Sequence, residues 1–153
     1  IREIRELECR VNHLLQWLLY SVLIASPMGC GQQWSNGEKK NAEHFAQSIR
    51  LVVQAHESSN KRGAEGMPKS DLEGILAAYE SALHEANLVT DEVLAKANPE
   101  LPQNYRLYFQ KGIELRISSW TNSRPYEEIQ GSALMDSWDD WFERNRQNIT
   151  IPH

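Results

Sequence analysis

Hydrophobic positions along this chain fall into two regimes. From Leu14 to Ala25 they form a nearly continuous run broken only by Gln16, Tyr20 and Ser21, and no Asp, Glu, Lys or Arg occurs between Arg10 and Glu38. Downstream they recur every three or four residues, the spacing that lines one face of an α-helix. Phe45, Ile49, Val52 and His56 predict a helix over 41–61, ended by Lys61, Arg62 and Gly63. Two glycines and Pro68 then make 63–69 a linker. Ser70 with Glu73 reads as a capping box opening one long helix over 71–97, with Leu72, Leu76, Tyr79, Leu83, Ala86, Thr90, Val93 and Ala97 as its stripe and 87–90 as the place where it can bend.

Asn98-Pro99 stops that helix, because the residue before a proline is pushed out of the helical region. Pro102 suits the first turn of the next, which carries Tyr105, Phe109, Gly112, Ile113, Ile117 and Trp120 on one face. A glycine on an apolar face marks close passage of another helix. Pro125 opens a last helix to about Arg146, with Glu127 and Glu128 in its first turn and Ile129, Ala133, Leu134, Trp138, Trp141 and Phe142 as its buried face. The tail NITIPH reads as extended. Short connections make the second, third and fourth of these helices successive antiparallel neighbours. The expected fold class is all-α, an antiparallel four-helix bundle preceded by an apolar signal or anchor helix.

The apolar run itself is about a dozen residues, too short to cross roughly 30 Å of hydrocarbon, which takes about 20. That length suits the apolar region of a signal peptide. It ends in Ser26, Pro27, Met28 and Gly29 before Cys30, followed by polar Gly31, Gln32 and Gln33. The stretch SPMGC resembles the lipobox of bacterial lipoproteins, in which a small residue precedes a cysteine that becomes a diacylglyceryl-modified first residue. The resemblance covers residues 14–30. It implies that 1–29 are upstream residues plus a signal peptide, that Cys30 is lipidated, and that 30–40 form a tether to a helical domain at 41–153. It also implies a bacterial cell-envelope protein facing the periplasm, with Gly31 rather than Asp after the cysteine favouring the outer membrane. The competing reading makes 3–25 a core helix, with Ile4, Val11, Leu15, Leu18 and Val22 near helical spacing, and the protein a soluble cytoplasmic bundle.

Charge and cysteine content narrow the function. The net charge is -5, and Lys39-Lys40 and Lys61-Arg62 are isolated pairs rather than a basic stripe, so nucleic acid is not an expected partner. Cys9 and Cys30 alone cannot build a disulfide framework or a CxxC metal site. Glu43-His44, His56-Glu57 and His84-Glu85 fail both the Glu-x-x-His and the HExxH spacing, and neighbours on a helix point about 100° apart. No metal or cofactor is expected. There is no GxSxG elbow and no phosphate-binding glycine loop. Asp136, Asp139 and Asp140 read as a solvated acidic face. An enzyme would need polar groups to converge where no motif announces them, such as His56 with a carboxylate from a neighbouring helix. The chain is therefore expected not to be an enzyme.

Aromatic residues concentrate in the last two helices. They serve either as core volume or as the lining of a pocket for an apolar ligand, peptide or glycan, with Tyr105, Arg116, Trp120, Trp138 and Trp141 as the candidate ligand or partner contacts. The leading expectation is a lipid-anchored helical protein with a binding or structural role and a protein partner. A sensor or ligand-binding domain using the aromatic pocket is the alternative.

Overall fold

The structure, a computed structural model, describes residues 33–60 and 69–152. The apolar run, the lipobox-like stretch and Cys30 lie outside the described residues. Among those described, the fold is all-α, a helical bundle without strands. Its helices are α1 (Asn36–Asn60), α2 (Lys69–Leu88), the short α3 (Asp91–Ala97), α4 and α5 (Pro125–Asn145). Helix α4 runs without interruption through Leu101–Asn104, a π-helical stretch at Tyr105–Gln110, and Lys111–Asn122. Helix α1 packs along α2, α4 along α5, and α2 also meets α4.

Helix α1 begins at Asn36, five residues before the hydrophobic periodicity places it. The cause is a reciprocal capping box: Ser35 N–H donates to Glu38 Oε2 at 2.7 Å and Glu38 N–H to Ser35 Oγ at 3.2 Å. Two amides that the first helical turn leaves without intrahelical partners are satisfied in this way. The same segment is tied down from a distance. Lys96 donates to the Gln33 carbonyl at 2.8 Å and to Glu38 Oε1 at 2.6 Å, and its ammonium lies 4.7 Å from the centre of the Trp34 ring. Residues 33–40, expected as a tether, are thus largely part of the fold. The Glu38 carboxyl is held down at about 2 by its hydrogen bonds to Lys96 and Ser35.

The long helix expected over 71–97 is two helices. The break at Val89-Thr90 is stabilised by side chains from elsewhere in the fold. Asn41 on α1 donates to the Leu88 carbonyl at 2.7 Å and accepts from Thr90 N–H at 2.9 Å. Arg106 on α4 donates to the Ala86 carbonyl at 3.0 Å, to the Val89 carbonyl, and to Asp91 Oδ1 at 3.0 Å. These donors replace the intrahelical bonds that the end of α2 forgoes, and they let α3 turn off its axis. The buried stripe of α2 is Ile75, Tyr79, Ala82 and Ala86, while Leu72 is exposed.

One core runs through all five helices. Phe45, Val52 and Val53 of α1, Tyr79 of α2, Leu94 of α3, Leu101, Tyr105, Phe109 and Ile113 of α4, and Met135, Trp138, Trp141 and Phe142 of α5 are buried in it. The tail closes over one end. Thr150 N–H donates to the Ala97 carbonyl at 3.1 Å, and Ile149 and Ile151 pack against the core. The expected face of α5 is corrected in its first half: Ile129 is 68% exposed and Ala133 is exposed, whereas Gly131 and Met135 are buried.

Candidate functional site

The five residues singled out as ligand or partner contacts separate into two groups. Tyr105, Trp138 and Trp141 belong to the inner ring cluster. Tyr105 stacks on Phe109 at 5.1 Å, and Trp138 meets Tyr105 edge-on at 5.7 Å, Trp141 at 5.7 Å and Phe142 at 5.2 Å. Phe45 of α1 joins at 5.2 Å from Tyr105, so the cluster is built by three helices rather than by the last two alone. These rings fill the core, with Tyr105, Trp138 and Trp141 all buried. The Tyr105 hydroxyl ends on Ser48 Oγ at 2.8 Å, and burial pushes its ionisation up.

Trp120 and Arg116 stand in the second group, around Tyr79. Trp120 is half-buried and meets the Tyr79 ring edge-on at 5.5 Å, and His56 meets the same ring edge-on at 6.0 Å. Arg116 binds everything nearby. Its Nη1 donates to the Tyr79 hydroxyl at 2.6 Å and to His56 Nε2, while Nε and Nη2 reach Glu128 Oε1 at 3.2 and 3.1 Å. Ser119 Oγ donates to the other carboxylate oxygen at 2.9 Å. Four helices therefore meet in one polar network: His56 from α1, Tyr79 from α2, Arg116 and Ser119 from α4, and Glu128 from α5.

The hydrogen bonds fix the protonation of this network. A guanidinium can only donate, so Nε2 of His56 must supply its lone pair to Arg116 and the ring must be neutral with its proton on Nδ1. Burial first, and then the Arg116 charge, hold the His56 imidazole down at about 3. Burial likewise raises the Tyr79 hydroxyl to about 12. Arg116 is only 14% exposed, and Glu128 neutralises its charge.

Beside this network lies a small cleft between α1, α4 and α5, lined by Ile49, Val52, His56, Phe109, Met135, Trp138 and Asp139. Its volume of about 10 Å³ is room for one water. Nδ1 of His56 is buried without a hydrogen-bond partner. Across the cleft, the Asp139 carboxyl is pushed up to about 7 by burial and by the neighbouring Asp136 and Asp140. Asp136 and Asp140 are exposed, as expected of a solvated face, but Asp139 is largely buried. The expectation that Asp139 shares that solvated face is corrected, and its spacing carries the signal. Met135, Asp139 and Phe142 fall at i, i+4 and i+7, which puts the aspartate on the buried stripe.

His56 and a carboxylate from another helix thus do share one site. Their chemistry is limited by geometry. The only basic lone pair of His56 is occupied by Arg116, so the imidazole acts as a donor and not as a general base. Asp139 is poised to exchange a proton near neutrality, but a cleft the size of one water admits no substrate skeleton. Among the described residues, no group of three His, Cys, Asp or Glu side chains could hold a metal ion, and no helix is long and apolar enough to cross a membrane. No protein-family model, no curated protein and no solved structure matches this chain.

Proposed function

We propose that this chain is a lipid-anchored protein of the bacterial cell envelope whose helical domain has a binding or structural role rather than an enzymatic one. The four long helices would form its rigid body as an antiparallel four-helix bundle. The sequence support for the anchor is the apolar run Leu14 to Ala25 followed by Gly29 and Cys30. The observation that carries the reading is the attachment of Gln33 and Trp34 to Lys96 on α3. Gln33 lies three positions after Cys30, and even a fully extended chain covers only roughly 10 Å over that length. Acyl chains on Cys30 would hold the start of α1 and the α3 corner at the headgroup layer, where two or more chains give stable anchoring. The blocked lone pair of His56 and the water-sized cleft support a non-enzymatic role. The alternative, a ligand site on the aromatic helices, draws on half-buried Trp120 and on the cleft wall formed by Trp138 and Phe109.

Intact mass and fractionation of the protein expressed in a bacterium test the anchor. The expected product is a membrane-fraction species beginning at Cys30 with added diacylglyceryl and acyl mass, and Cys30→Ala should abolish that processing. A wild-type protein without added acyl mass on Cys30, a Cys30→Ala protein still cleaved before position 30, or a soluble wild-type protein retaining residues 14–25 would overturn the reading.

A further inference from the structure

The charges around the His56–Asp139 cleft do not balance when Asp139 is ionised. From α1 the cleft is faced by His56, which is neutral because its Nε2 accepts from Arg116. From α2 comes the Tyr79 hydroxyl, neutral and hydrogen-bonded to Arg116. From α4 comes Arg116 itself, whose charge is matched by Glu128 at 3.1 Å. On α5, Asp136 and Asp140 flank Asp139 with charge of the same sign. Among the described residues Asp139 makes no ion pair and no hydrogen bond. An ionised Asp139 would therefore be a largely buried charge without a partner, facing Phe109, Met135 and Trp138. A protonated Asp139 has no such cost, and one water in the cleft can accept from His56 Nδ1–H and bridge to its carboxyl.

We propose that this cleft is a proton-controlled joint between α1 and α5, closed while Asp139 carries a proton and taking in solvent when that proton is lost. Opening relieves the unpaired charge by hydrating it, at the expense of wetting the apolar lining that Ile49, Val52, Phe109, Met135 and Trp138 give the cleft. The joint loosens locally, since Trp141, Phe142 and the Gly131 crossing still hold α5 in the core. Its set point would lie in the neutral range, because burial and the two flanking carboxylates raise Asp139 to about 7.

The test is a pH titration of the full-length protein from 5 to 9, following the side-chain carboxyl resonance of Asp139, tryptophan emission, and amide exchange at 52–56 and 135–139. The carboxyl should titrate with a midpoint of about 7, and red-shifted emission and faster exchange at both segments should follow the same midpoint. Asp139→Asn, which mimics the protonated side chain, should remove the transition. Asp136→Asn should move the midpoint down by removing a neighbouring charge. His44, hydrogen-bonded to Glu85 at 2.6 Å, ties α1 to α2 away from the cleft, so His44→Gln should leave the transition unchanged. The proposal is overturned if Asp139→Asn keeps the transition, if His44→Gln abolishes it, or if Asp139 titrates without faster exchange at the two segments.

Discussion

Gly112 on α4 and Gly131 on α5 stand against each other at the point where the two helices come closest. A Cβ added to Gly131 would lie 2.9 Å from the Gly112 carbonyl oxygen and 3.2 Å from the Arg116 amide nitrogen, both backbone atoms that cannot swing aside. A Cβ on Gly112 would meet Met135 Cγ and Sδ at 2.9 Å, and the Gly131 oxygen at 3.2 Å. Met135 is flexible and can yield, whereas the backbone cannot. Gly131→Ala should therefore destabilise the protein by about 1–3 kcal/mol despite the gain of about 1 kcal/mol in helix propensity. Gly112→Ala should cost clearly less. Urea unfolding of the two variants checks the order, and a Gly131→Ala protein as stable as wild type would contradict the close approach.

Ser48 and Tyr105 tie α1 to the π-helical part of α4. Ser48 Oγ donates to the Phe45 carbonyl at 2.7 Å, so in the 2.8 Å contact between the two hydroxyls it is Tyr105 that donates. The two deletions are consequently unequal. Tyr105→Phe leaves Ser48 still bonded to its own helix and should cost about 0.5–1.5 kcal/mol. Ser48→Ala leaves the Tyr105 hydroxyl buried without an acceptor and should cost about 1–3 kcal/mol. Thermal or urea denaturation of both single variants decides it, and Tyr105→Phe proving the more damaging would refute the assigned direction of donation.

Helical periodicity was enough to find most of the described helices and most of the core, and it failed where a side chain distant in sequence decides the outcome. The end of α2 at Leu88 depends on Asn41 and Arg106, which lie 47 residues before and 18 after it. Nothing local forbids a helix through 87–90, so the pattern there read as continuous. Gly112 was legible as a site of close packing because a glycine interrupts an apolar stripe. Its partner Gly131 was not, because Ile129 and Ala133 offered a competing face that the close α4–α5 contact excludes. The capping box at Ser35 and Glu38 was local but lay in a polar stretch without apolar periodicity. As for the site, Arg116 was singled out for its charge, yet its partners His56, Tyr79 and Glu128 come from three other helices. Only tertiary packing brings them together.

His56 and Asp139 give the protein two opposed pH dependences. The Asp139 carboxyl titrates at about 7 in the fold against an ordinary value of 3.8, so between those limits the folded state holds a proton that the unfolded chain has lost. Stability from this group is complete below about 4 and is lost as pH rises through 7. His56 titrates at about 3 in the fold against 6.5, so between those limits the unfolded chain holds the extra proton. Stability from this group is complete above 6.5 and is lost as pH falls through 3. Each slope is at most about 1.4 kcal/mol per pH unit, and between about pH 4 and 6.5 the two cancel. Asp139→Asn removes the aspartate slope, so relative to wild type it should lose stability progressively as pH falls from about 7 to about 4. His56→Gln keeps an acceptor for Arg116 and removes the histidine slope, so relative to wild type it should gain stability as pH falls from 6.5 towards about 3. Carboxylates outside the cleft, such as Glu38, act equally in all three proteins and drop out of the differences. Urea midpoints across pH 4–8 measure those differences, and two variants running parallel to wild type would show that neither group is shifted by its burial.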